Sequence, residues 1–213
     1  MSYAVKEIYA TLQGEGANVG RAAVFLRFSG CNLWSGLEED RAGAICNFCD
    51  TNFVGTDGVG GGQFKEAAEL ARTAHAIWDI THGSRFMPFI VATGGEPLLQ
   101  LDVTLVAALH NEGFKIAVET NGTVTPPENI DWLCVSPKAS ASLMVQSGEE
   151  LKLVYPQAAA VPEAFEDLDF EYFFLQPLDG HERDRNMTAA RDYCLSHPKW
   201  RLSLQAHKLI GMP

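Results

Sequence analysis

The stretch AVFLRFSGCN, residues 23–32, begins as a run of apolar residues and ends in Ser29-Gly30-Cys31. A short, nearly continuous apolar run closed by a glycine marks a strand buried on both faces, hence a parallel sheet. Runs of the same kind recur at Phe89–Thr93, Lys115–Glu119, Trp132–Val135, Leu151–Tyr155 and Tyr172–Gln176. Helical patterns separate the early ones. Phe64–Ile80 has apolar residues at three- and four-residue steps, Leu101–Asn111 is stopped by Gly113, and Arg185–Ser196 is halted before Pro198. Between Glu119 and Trp132 lies only TNGTVTPPENID, too rich in proline for a crossover helix. Strands alternating with helices predict an α/β fold. A complete eight-unit barrel takes about 250 residues, more than this chain has. The expectation is therefore a partial, open TIM-like barrel of about six mostly parallel strands with about three helices. We read one domain over residues 1–213, with a cysteine-bearing loop at 29–62 and a C-terminal tail at 200–213 closing the barrel. GTDGVGGGQ (Gly55–Gln63) reads as a flexible linker and fits no phosphate loop.

The bulk composition narrows the class. The chain has 213 residues, 46% hydrophobic and 20% charged, as in ordinary globular proteins. A net charge of −11 argues against a nucleic-acid or anionic-membrane surface, which would need a basic field. No apolar run is long enough to span a bilayer, and MSYAVKEIYATLQGEG lacks a signal-peptide core. The expectation is a cytoplasmic protein with neither a membrane nor a nucleic-acid partner. In that compartment five cysteines are no disulfide framework.

Cys31, Cys46 and Cys49 stand in the pattern C-x14-C-x2-C, directly after the first strand. Three thiolates can hold three irons of a 4Fe-4S cubane and leave the fourth open to a small molecule. The competing reading is zinc. A structural zinc site wants four ligands, usually two C-x2-4-C pairs, and only one such pair exists here. The fourteen-residue gap does not prevent convergence, because loop-closure entropy grows only logarithmically with length. Cys134 in a strand and Cys194 in a helix read as ordinary buried thiols.

In α/β folds reactive groups gather at the carboxyl ends of strands. There the chain carries the cysteines with Asp50 and Thr51, then TGGEP (Thr93–Pro97), ETNG (Glu119–Gly122), SPK (Ser136–Lys138) and QPLDG (Gln176–Gly180). These motifs, together with RFSGCN…CNFCDT and the terminal LQAHK, resemble the 7-carboxy-7-deazaguanine synthases. Those are radical S-adenosylmethionine enzymes of queuosine and 7-deazapurine biosynthesis. GGEP is shared by the wider radical class, whose usual spacing is C-x3-C-x2-C, so the longer gap is a departure from it.

The resemblance implies a lyase that turns 6-carboxy-5,6,7,8-tetrahydropterin into 7-carboxy-7-deazaguanine and ammonia, with S-adenosylmethionine regenerated and Mg2+ assisting. It also implies a flavodoxin or ferredoxin as reductant and a homodimer. By the same resemblance, Phe48, Cys49 and Asp50 lie along the adenine of the cofactor, and Thr51 ligates magnesium; the plain alternative for Thr51 is a turn cap. Gly94 and Gly95 admit the methionyl amine with Glu96 facing its charge, or form a simple strand-end turn. Ser136, Pro137 and Lys138 suit the cofactor carboxylate or ribose. Gln176, Pro177, Leu178 and Asp179 meet the adenine edge, and Glu119 binds ribose or braces the rim. For the substrate, Leu12, Gln13, Gly14 and Glu15 offer a polar edge, and Arg27 a carboxylate fork. Arg27 in an otherwise apolar strand also calls for a buried anionic partner. Thr93 joins them, and the tail brings His207 and the Pro213 carboxylate to the same place. The alternatives are another radical enzyme, such as a glycyl-radical activase, and a zinc-stabilised binding module.

Overall fold

The computed structural model describes residues 2–83 and 85–212. Its nine strands form one sheet, ordered β3-β1-β2-β4-β5-β6-β7-β8-β9. Six are the expected ones, all but β6 extended by one to four residues: β2 (Ala22–Phe28), β4 (Phe89–Gly94), β5 (Lys115–Thr120), β6 (Trp132–Val135), β7 (Ser147–Tyr155) and β8 (Asp169–Pro177). They pair in parallel and in sequence order, and β9 (Trp200–Leu202) continues the parallel run. At the other end β1 (Tyr3–Leu12) pairs antiparallel with β2, and β3 (Gly62–Phe64) antiparallel with β1. The count of about six is thus corrected to nine. The sheet is an open one, since β3 and β9 end the strand order.

The two faces of the sheet divide the labour. Val24, Leu26, Ile90, Ile116, Val118, Leu151, Leu153 and Leu175 point to one side and are buried with residues of α1 (Ala67–His82) and α2 (Val103–Asn111). α3 (Arg183–Ser196) covers β8 and β9. Asp102 caps α2 by accepting from the Leu105 amide at 2.9 Å. On the other face a small apolar cluster, Ala23, Phe89, Val91 and Ala117, occupies the amino-terminal half of the strands. One step further along, the same face turns polar. Arg27 stands opposite Thr93, Glu119 opposite Cys134, and Cys134 opposite Glu150. The period of two in each strand places this band on one face of the sheet.

The Gly55–Gln63 segment is not a loose linker, which corrects the sequence reading. It lies against β1, where the Ile8 amide donates to the Val59 carbonyl at 2.7 Å and the Gly58 amide to the Lys6 carbonyl at 2.9 Å. Its glycines are there because two backbones meet. A Cβ on Gly61 would stand 2.2 Å from the Lys6 carbonyl oxygen. Gly61→Ala is therefore expected to destabilise the fold by about 1–3 kcal/mol, as overpacking does. Denaturant unfolding reads this as a lower midpoint, and an unchanged midpoint would mean that the segment is free to move off β1.

Candidate active site

The polar band forms one wall of a cavity of about 450 Å3 at the carboxyl ends of the strands. One end holds sulfur. Cys46 and Cys49 line the cavity, and their side chains share a hydrogen bond. That bond, given by Cys46, holds the Cys49 thiol down at about 6 against opposing burial. The same bond and burial push Cys46 up. Cys31 sits just behind Gly95, whose Cβ position lies 2.8 Å from the Cys31 Cβ, and its Sγ accepts from the Leu33 amide at 3.4 Å. All three thiols are close enough to influence one another's charge. Among the described residues, no group of three or more His, Cys, Asp or Glu side chains is arranged to hold a single metal ion. A cubane differs from a single ion in giving each thiolate its own iron, so its ligands need not converge on one point. Three soft donors, one already inclined to ionise, fit such a cluster.

Gly94 and Gly95 line the cavity beside this sulfur end. Their first task is to let strand ends meet. A Cβ on Gly94, whose φ is +141°, would stand 2.3 Å from the Phe28 carbonyl oxygen, and one on Gly95 2.2 Å from that of Gly30. Without this approach the cysteine loop could not lie against β4. Glu96 departs from expectation. It has no exposed surface and does not line the cavity. Its carboxylate accepts from the Leu98 amide, the Thr120 hydroxyl (2.7 Å) and the Asn121 amide (2.8 Å). It is an internal brace for the ETNG turn, and burial raises its pKa despite those bonds. Pro137 is likewise buried away from the cavity, and its carbonyl accepts from Gln157. Ser136 and Lys138 do line it, with the Lys138 ammonium on the Ser136 hydroxyl at 2.6 Å. Phe48, Asp50, Thr51, Pro177, Leu178 and Asp179 complete this half.

The other half is lined by Leu12, Gln13, Gly14, Glu15, Arg27, Thr93, Glu119, Gln176 and His207. Arg27 has the anionic partner expected of it: Nε meets Glu7 at 2.7 Å, and Nη2 donates to the Tyr9 hydroxyl at 2.8 Å. The tail crosses over this half. The Ala206 amide donates to the Gly14 carbonyl at 2.8 Å, and the His207 ring fills the space where a Gly14 side chain would be. Lys208 of α4 (Ala206–Leu209) ties Asp50 (2.9 Å) to Asp179 (2.6 Å) across the cavity mouth. Pro213 lies outside the described residues.

Sequence reasoning missed the residue at the centre. Lys152, on the inner face of β7, is 5% exposed. Its ammonium meets Glu15 at 2.5 Å and Glu119 at 3.4 Å. Glu15 also accepts from Gln176 (3.0 Å) and Gln205 (3.2 Å), and Glu119 from Gln13 (3.0 Å). Burial opposes the Lys152 charge, yet Glu119 and Glu15 raise its pKa well above the ordinary value. Burial also opposes the Glu15 charge, and Lys152 brings its pKa below the ordinary one. The floor is thus an ion-paired, amide-buttressed network joining the loop after β1 to β5, β7, β8 and the tail. Cys134, read as an ordinary thiol, lines the same cavity and donates to the Glu150 carboxylate at 3.5 Å.

No protein-family model matches the chain. Among curated proteins, it is 62% identical over 213 residues to the 7-carboxy-7-deazaguanine synthase of Bordetella pertussis, covering all of both chains. It is 61% identical to that of Caulobacter vibrioides, again over the whole of both. The chain belongs to the 7-carboxy-7-deazaguanine synthase family. It is accordingly a radical S-adenosylmethionine lyase, and full-length membership of the synthase family sets aside the activase and the zinc module. The crystal structure of QueE from Escherichia coli superposes with a TM-score of 0.70 at 25% identity, covering 97% of this chain and 95% of that one. The synthase fold is thus shared down to distant sequence. No helix among the described residues is long and apolar enough to cross a membrane.

Proposed function

We propose that the chain converts 6-carboxy-5,6,7,8-tetrahydropterin to 7-carboxy-7-deazaguanine and ammonia, with S-adenosylmethionine regenerated each turnover and Mg2+ assisting the ring contraction. The observation that carries this reading is one cavity with thiols at one end and a guanidinium, carboxylates and amides at the other. Substrate and product differ by one ammonia, so the conversion is redox-neutral overall. When bound at Cys31, Cys46 and Cys49, a 4Fe-4S cluster with S-adenosylmethionine supplies the hydrogen-atom acceptor that no side chain offers.

The protein positions and shields the reactants. The backbone at Phe48–Asp50, Gly94 and Gly95, Ser136 with Lys138, and Pro177–Asp179 would hold the cofactor along the sulfur-side rim, with Gln176 reaching it from the neighbouring half. Glu96 and Pro137 support that rim from behind. Arg27 with Thr93 would take the substrate carboxylate, a charge-assisted contact. Gln13 and Glu15 offer acceptors for the N–H-rich pterin edge, and Glu119 beside them would bind the cofactor ribose or brace the rim. His207 and the tail would cover it and exclude water. Thr51, on the cavity wall after the cysteine pair, is our magnesium ligand, with substrate oxygens and waters completing the shell. A flavodoxin or ferredoxin reductant and a homodimer complete the reading.

Anaerobic incubation of the carboxytetrahydropterin with S-adenosylmethionine and dithionite tests it. The expected products are the deazaguanine and ammonia in equal amounts, with S-adenosylmethionine not consumed in proportion. Unchanged pterin would contradict it. Thr51→Ala should keep the cluster but raise the magnesium concentration needed for half-maximal rate on the order of tenfold or more, as loss of a metal-site ligand or its support does. An unaltered magnesium response would remove Thr51 from the metal.

A further inference from the structure

The fourteen residues between Cys31 and Cys46 are folded, and one side chain joins them to the cysteine pair. The neck of the insertion is closed where the Leu33 carbonyl accepts from the amides of Ile45 (3.1 Å) and Cys46 (3.4 Å). Inside, Glu38–Gly43 forms a 3-10 helix. Trp34 is buried edge-on against Phe53, and its ring nitrogen donates to the Leu37 carbonyl at 3.1 Å.

Arg41 lies over this frame. Its guanidinium sits 4.1 Å above the Trp34 ring, and its Nε meets both Glu38 oxygens at 2.8 and 2.9 Å. Its Nη1 donates to the carbonyls of Asn47 and Cys49, each at 3.0 Å. The stacking ring and the Glu38 fork fix the plane of the guanidinium, and Nη1 then fixes the two carbonyls that set the turn from Cys46 to Cys49. An ion pair as exposed as Arg41–Glu38 contributes little to stability. Its effect here is orientation.

We propose that the insertion is an internal template, with Arg41 the positioning residue that pre-forms the Cys46–Cys49 turn for its iron–sulfur cluster. This rests on the cluster reading above. A lysine cannot replace the arginine, because one ammonium cannot stack on Trp34, take Glu38 by two bonds and reach both carbonyls.

The test compares wild type, Arg41→Met and Arg41→Lys, all purified anaerobically as full chains. The readouts are iron and sulfide content, the rate of iron release to a chelator, and thermal midpoint. Wild type without iron would overturn the cluster reading itself. With iron in the wild type, both variants are expected to release iron on the order of tenfold faster, the usual effect of losing support behind a ligand, with midpoints close to wild type. Release rates within twofold of wild type in both variants would overturn the inference. So would full rescue by lysine, which would leave charge alone as the cause. An unfolded Arg41→Met chain would overturn it too, since the reach of Arg41 would then extend past the cysteine loop.

Discussion

Replacing Cys31, Cys46 or Cys49 singly by Ala is expected to remove the iron–sulfur absorbance and reduce turnover to background. On the proposed reading each thiolate holds a different iron and the fourth iron stays open for the cofactor, so the set contains no redundancy. Neither remaining cysteine can take over. Cys194 lies on α3, and the Cys134 thiol is buried against Glu150 with its pKa raised, so it resists becoming a thiolate ligand. The fold itself should survive, because the cysteine loop lies outside the main apolar core. Iron analysis and far-ultraviolet dichroism together read both parts. Retained cluster colour in all three variants would end the assignment of these ligands.

Lys152→Met should have the second-largest effect, and its origin is electrostatic. The substitution keeps most of the volume but leaves Glu15 and Glu119 facing one another without a cation. Removing one partner of a buried pair destabilises by about 3–5 kcal/mol, a large part of the roughly 5–15 kcal/mol that holds a domain together. Denaturant unfolding should show that loss. Because Glu15 carries the Gln13–Gly16 loop, KM for the substrate should rise while S-adenosylmethionine binding stays near wild type. Lys152→Met combined with Glu15→Gln should recover much of the stability, since the strongest uncompensated charge is gone. A single variant as stable as wild type would mean that the network is not ionised. The pH dependence has a defined sign. Glu15 has a lowered pKa in the fold, so its contribution is complete above the ordinary carboxylate range and is lost as pH falls through the lowered value. Lys152 has a raised one, so its contribution is complete below the ordinary lysine range and is lost only as pH rises through the raised value.

Much of the parallel sheet was legible because its strands are continuous apolar runs. The three missed strands failed for separate reasons. β3 and β9 have three residues each, too few for a period. β1 carries Lys6 and Glu7 in its middle and a bulge between Val5 and Glu7 that breaks the alternation. Those charges have structural partners, Lys6 with Asp57 and Glu7 with Arg27. The rim motifs were legible as a set but not in their orientation. Glu96 turns inward because three donors, one from the turn after β4 and two from the end of β5, saturate it. Lys152 was hidden in LKLVY, where one lysine among apolar residues resembles a strand edge. The usable signal was the one applied to Arg27: a cation inside a strand buried on both faces needs an anion. Glycine content misled at Gly55–Gln63, since composition alone does not separate loose backbone from tightly packed backbone.

The central claim is that three thiolates hold an iron cubane with one corner free at the sulfur end of the cavity. Metal and sulfide analysis of anaerobically purified wild-type protein, with its spectrum taken before and after adding S-adenosylmethionine, tests this most directly. The account predicts iron and acid-labile sulfide in equal amounts and a spectrum that changes when the sulfonium is added. Zinc in place of iron, or a colourless protein without sulfide, would contradict it.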